Sequence, residues 1–119
     1  MEFLMLFLVL AIGFLVTMRF YRENFNNDTE IILFYAPWCG ASRGFMPVWR
    51  DIKKRRNELS SNVFFTKVNV DENNDKANQY NVKILPSVFI NKNGTKKRVP
   101  RESMNSLDRL NNYLLTQMP

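Results

Sequence analysis

The sequence predicts an α/β domain, a four-stranded mixed sheet with flanking helices, behind one N-terminal transmembrane helix. Three observations predict it. An unbroken apolar run extends from Phe3 to Met18, softened only by Gly13 and Thr17. Beyond it, β-branched and aromatic runs alternate with segments of helical spacing. Near the end, Asn93-Gly94 stands between two strand-like runs, a strong hairpin signal. A chain of 119 residues, 45% of them apolar, has room for one small core and a short appendage.

The apolar run, as a helix, is roughly 24 Å long, slightly short of a bilayer core of about 30 Å. Arg19 extends it by snorkelling, and Phe20 and Tyr21 suit the interface. A cleaved signal peptide and a buried core helix are the rival readings. The first wants a basic n-region and a small-residue cleavage site, and this chain begins Met1-Glu2 with no such site after the run. The second wants polar residues alternating along the helix, and there are none. Residues 1–22 therefore read as a membrane anchor. Arg19 and Arg22 follow it while Glu2 precedes it, so the positive-inside tendency puts the rest of a single-pass protein in the cytosol. Acceptor sequences for N-glycosylation at Asn27-Asp28-Thr29 and Asn93-Gly94-Thr95 offer a check on that orientation.

Residues 23–29 are polar and Asn-rich and read as a linker, leaving residues 30–119 as the domain. Glu30 to Tyr35 reads as a buried strand. Gly40 to Leu59 has helical spacing, with Phe45, Val48, Trp49 and Ile52 on one face. Val63 to Val70 alternates as a second strand, and Asp71 to Tyr80 fits a short helix with Asp71 as its N-cap. Ser87 to Asn91 and Lys96 to Val99 form the hairpin, and Ser103 to Leu115 is an amphipathic helix with Leu107, Leu110, Tyr113 and Leu114 inward. The first half is a βαβ crossover and the end a hairpin closed by a helix.

Composition narrows the chemistry. The chain has no histidine, which removes His-based triads and zinc sites of Cys plus His. Cys39 is the only cysteine, so neither an intramolecular disulfide nor a Cys-rich metal cluster is available. No metal site and no resident cofactor are expected. The net charge of +6 favours anionic partners.

Phe34 to Gly40, Pro47, Lys67 to Asp71, Ile84 to Ser87 and Asn91 to Gly94, the residues at the turns, together resemble those of the thioredoxin superfamily. Phe34-Tyr35-Ala36-Pro37-Trp38-Cys39-Gly40 is similar to the active-site approach of protein disulfide isomerase domains. Pro47 falls where the family's active-site helix carries a proline. Lys67 to Asp71 resembles the central strand and the turn after it, Ile84-Leu85-Pro86-Ser87 the cis-proline loop, and Asn91 to Gly94 the hairpin. The likeness spans roughly Glu30 to Leu115 and implies the minimal form of the thioredoxin fold. It also implies Cys39 as nucleophile, with Trp38, Gly40, Leu85 and Pro86 around a bound partner. A thiol where a strand ends and a helix begins meets backbone N–H groups and the helix dipole, which lower its pKa from about 8.5 into the range of roughly 3.5–7.5. Arg43, one turn on, adds a cation if it points back. A buried, inert thiol is the plain alternative.

Two residues depart from the family pattern. The usual Cys-x-x-Cys reads Cys39-Gly40-Ala41-Ser42, so Ser42 replaces the cysteine that resolves mixed disulfides. A hydroxyl cannot attack a disulfide as a thiolate does. Leu33 stands where the family carries a buried acid that takes the resolving thiol's proton. The two losses agree, since without a second thiol the acid has no task and is costly to bury. Lys67, which would face that acid, reads most simply as a snorkelling strand-end lysine.

Three functions follow as expectations. The first is a membrane-bound monothiol protein whose Cys39 forms mixed disulfides with client proteins or glutathione, with an external thiol, glutathione included, resolving them. The second is a redox-inactive domain that binds or retains partners in the groove beside Trp38 and Pro86. The third, ranked last, is the iron–sulfur role of monothiol glutaredoxins, whose motif Cys-Gly-Phe-Ser is superficially alike. The basic runs Lys53-Lys54-Arg55-Arg56 and Lys96-Lys97-Arg98 read as solvated faces or as contacts with an anionic leaflet, worth about 1 kcal/mol per residue near the surface. No nucleic acid is expected, because no aromatic residues interleave with them.

Overall fold

The computed structural model describes residues 1–25 and 28–118. Helix α1, Glu2–Phe25, carries the apolar run, and its window Glu2–Phe20 has a mean hydropathy of 2.4 with none of it buried. It is long and apolar enough to cross a membrane. Inside it the Thr17 hydroxyl donates to the carbonyls of Gly13 and Phe14, so the one polar side chain within the run satisfies itself. The helix continues three residues past the expected end of the anchor, and the next strand opens at Thr29, so the connection is shorter than residues 23–29. Arg22 and Glu23 are good helix formers, and a polar composition alone does not stop a helix. Asn26 and Asn27, which belong to the expected linker and to the first glycosylation sequence, lie outside the described residues.

Strands β1 (Thr29–Tyr35), β2 (Val63–Asn69), β3 (Ser87–Lys92) and β4 (Thr95–Arg98) form one sheet in the order β2-β1-β3-β4. The β1–β2 pair is parallel and the other two antiparallel, which is the expected four-stranded mixed sheet. β1 is central and buried on both faces, as its near-continuous apolar run requires. One face meets helix α2 (Gly40–Lys54) and the C-terminal helix: Ile31, Leu33, Phe45, Trp49, Ile52, Leu110 and Leu114 form the larger core. The other face buries Ile32, Phe34, Val68, Ala77, Tyr80 and Phe89, with the Phe34 ring edge-on to Phe89 at 5.6 Å. Asn93 and Gly94 both take positive φ, 54° and 84°, as a two-residue hairpin of mirror-image turn type demands.

Three helical segments differ from the sequence reading, and the strand ends shift by one residue. The segment Gly40 to Leu59 is two helices, α2 and a single turn, α3 (Arg56–Leu59), with Arg55 at the break. Helix α4 is Asn74–Gln79, capped by the Asn73 side chain, which accepts from the Lys76 N–H; Asp71 is not the cap. The last segment divides into a 3₁₀ turn, Arg101–Met104, and helix α5 (Leu107–Gln117), because Ser106 takes extended backbone angles and caps α5 through the Arg109 N–H.

Candidate functional site

β1 ends at Tyr35, and a tight turn closed by the Cys39 N–H donating to the Ala36 carbonyl leads straight into α2. Cys39 is the N-cap of α2, half-exposed, and Gly40 is its first helical residue. The α2 N-terminus therefore points its unpaired N–H groups at the sulfur.

Ser42 decides the electrostatics. Its side chain is buried, 1% exposed. The Ala36 N–H donates to its Oγ at 3.3 Å, which leaves the hydroxyl proton for the Cys39 sulfur. That side-chain hydrogen bond is the largest cause holding the Cys39 thiol below its usual value. The Ser42 and Ala41 backbone N–H groups and the Arg43 guanidinium lower it further, against a smaller rise from desolvation. Arg43 does fold back over the helix start, since a Cβ on Gly40 would lie 3.9 Å from its Nη2. Ser42→Ala is expected to move the midpoint of Cys39 alkylation to higher pH, with the fold intact. The measurement is iodoacetamide rate against pH; equal midpoints would leave the backbone donors alone in charge.

Trp38 is 67% exposed beside the thiol. Its Nε1–H donates to the Asp71 carboxylate at 2.8 Å, which fixes the ring plane. The sequence reading gave Asp71 to the helix and missed this pairing, because 33 residues separate the two. The Leu85–Pro86 peptide is cis. Pro86 faces Ala41 and Gly44 of α2 across a cleft of about 260 Å³, lined also by Phe45, Val48 and Met104. Arg101, not singled out in the sequence, stands on its wall and donates from Nη1 to the Pro86 carbonyl at 3.2 Å. Leu85 is half-buried and packs with Val70 and Val82 beside the second core cluster, in a recess that Asp71, the partner of Trp38, also lines.

Leu33 is fully buried in the larger core, where an acid would be cut off from water. Lys67, its register partner on β2, is exposed with its ammonium over the Tyr35 ring at 5.3 Å, the plain reading of that residue. Among the described residues no cluster of three or more His, Cys, Asp or Glu has the arrangement of a metal site.

A family model for thioredoxin matches residues 14–116. The chain belongs to the thioredoxin family. Relatives within that family include a thioredoxin of Porphyra purpurea, 33% identical over 101 residues that cover 80% of this chain and 90% of the relative. The chloroplastic thioredoxin M4 of Arabidopsis thaliana is 35% identical over 85 residues, 66% of this chain and 42% of that protein. Among solved thioredoxin-fold structures, human ERp44 in a zinc-bound form superposes with a TM-score of 0.63 at 27% identity, over 77% of this chain and 27% of that one. The chain thus spans less than half of the Arabidopsis relative and about a quarter of ERp44. Cys39 is the chain's single cysteine, and position 42, three residues on, is a serine.

Proposed function

We propose that this is a membrane-anchored, thioredoxin-like protein whose Cys39 forms mixed disulfides with protein or glutathione partners. The Cys39 thiolate attacks one sulfur of a partner disulfide; the new S–S bond forms as the old one breaks, and the second sulfur leaves as a thiolate that solvent protonates. Release needs an external thiol, glutathione being the simplest, to attack the mixed disulfide in turn. The observation that carries the reading is Ser42: buried, hydrogen-bonded to the Ala36 N–H and placed to donate to the Cys39 sulfur. It keeps the activation of the thiolate and removes the internal attacker. The exposed apolar helix α1 supports the anchor, and Arg19 after its apolar run supports a cytosolic domain.

The cleft beside Pro86 also favours a second reading, partner binding without chemistry. One experiment separates the two. The full chain is expressed in cells, thiols are blocked rapidly, and carbonate-washed membranes are resolved without reductant. Reducible adducts in the membrane pellet from the wild type and none from Cys39→Ala are expected. Absence of reducible adducts from the wild type as well would favour the binding domain, and release of the protein by carbonate would remove the anchor.

A further inference from the structure

The two ends of the sheet carry different things. Cys39, Trp38 and Pro86 lie at the end where β1 finishes and β3 starts, since Ser87 pairs with Phe34. At the other end β1 begins at Thr29, paired with Val63 and Lys92. Three residues separate α1 from Thr29, so that end of the domain stays within roughly 14 Å of the end of α1. Helix α2 runs back along the sheet from Cys39, and its C-terminus, with the basic run from Lys53 to Arg56, arrives at this same end. The position is fixed by Arg56, whose guanidinium lies over the ring of Phe64 at 5.6 Å, and Phe64 pairs with Glu30, the second residue of β1. Phe64 is an aromatic residue left 47% exposed there.

The charges at this end are uneven. Lys54 and Arg55 are turned to Asp51 and Asp108 at 3.8 and 3.7 Å, and Glu30 is held by Lys76 at 3.4 Å. Among the described residues Lys53 and Arg56 have no ion pair, and the hairpin adds Lys92, while the Lys96 ammonium is held over the Tyr80 ring at 4.4 Å. Asp28 and Glu58 oppose them.

We propose that this end is a docking face for anionic lipid headgroups of the bilayer that α1 spans, with Lys53, Lys54 and Arg56 on the headgroups and Phe64 at the interface. The proposal rests on the anchored reading of α1. Charge complementarity supplies the attraction, an exposed aromatic beside arginine suits the interfacial layer, and the short connection supplies the proximity. Docking turns a tethered domain into an oriented one. Cys39 then faces away from the membrane at about the length of the seven-residue β1, roughly 23 Å, plus the turn. The partners it selects are those that present a disulfide at that height, not at the lipid surface.

The lone cysteine makes the test direct. The full chain is labelled at Cys39 with a donor dye and reconstituted into vesicles carrying a headgroup acceptor, in phosphatidylcholine alone or with about 30 mol% phosphatidylserine. Expected is a fall in energy transfer on adding phosphatidylserine, to a single distance of roughly 25–30 Å, and reversal of that fall at high salt, where the Debye length is only about 3 Å. The triple variant K53E/K54E/R56E should lose the phosphatidylserine effect entirely while keeping the wild-type circular dichroism spectrum. Transfer unaffected by phosphatidylserine and salt in the wild type overturns the docking face. Failure of the protein to float with neutral vesicles at high salt instead overturns the anchor on which it rests.

Discussion

Ser42→Cys is expected to convert this chain from a trap into a catalyst. With dithiothreitol as recycling dithiol, the wild type should reduce insulin no faster than Cys39→Ala, while Ser42→Cys should exceed both by about tenfold or more. Position 42 is one helical turn from Cys39, on the buried side of α2. A thiol there would face the Cys39 sulfur and be shielded from other attackers. The Ala36 N–H, now given to the Ser42 hydroxyl, would be inherited by the new thiolate. Rescue should remain partial, because Leu33 offers no acid to take the second thiol's proton. Turnover by the unaltered chain would show that a second thiol is not required and that the internal-attacker argument is wrong.

Leu33→Glu should have the largest effect on stability. Leu33 is fully buried on the central strand, between Lys67 of β2 and Val88 of β3, and packs into the larger core. A carboxyl there has its pKa raised by desolvation, by about 3 units if burial is complete, which costs on the order of 4 kcal/mol at pH 7. The sign fixes the pH dependence. The ionisation penalty is full only above the raised folded-state pKa, shrinks steadily as pH falls towards the unfolded-state pKa of about 4.3, and is gone below it, where both states are protonated. The gap in melting temperature between wild type and variant should therefore narrow from pH 7 to pH 4. Lys67 can offset part of the cost by leaving the Tyr35 ring. Equal stability at pH 7 would mean that the acid is accommodated and that its loss was not coupled to the loss of the second cysteine. Combined with Ser42→Cys, the same substitution should raise turnover while lowering stability.

Signals that act over one or two residues were legible in the sequence. Asn93-Gly94 marks the hairpin because few other pairs accept two consecutive positive φ angles. β1 was legible because burial on both faces needs an unbroken apolar run, and Phe45, Trp49 and Ile52 because their spacing puts them on one face of α2. Boundaries were harder where several residues compete for one cap. Asp71 and Asn73 are both good N-caps, and Asn73 takes the position because the Trp38 indole claims Asp71. That competition is tertiary and leaves no local trace.

The site divides in the same way. Cys39, Gly40, Trp38 and Pro86 were legible as a pattern, and the departure at Ser42 as a missing thiol. The part Ser42 plays instead was not, since it depends on where its hydroxyl finds partners: the Ala36 N–H behind it and the sulfur in front. Arg101 was missed because it lies in an irregular turn after the hairpin, where no periodicity marks it, and only the fold brings it to the Pro86 carbonyl.

The central claim is that Cys39 accepts a partner sulfur and cannot release it unaided. The purified full chain, fully reduced and then freed of reductant, is mixed with a mass-labelled peptide disulfide, and its intact mass is followed over hours. One peptide per chain should attach, faster as pH rises through the lowered thiol pKa, and should persist until glutathione is added, when it leaves within minutes. No adduct, or an adduct that decays equally fast without added thiol, would contradict the account.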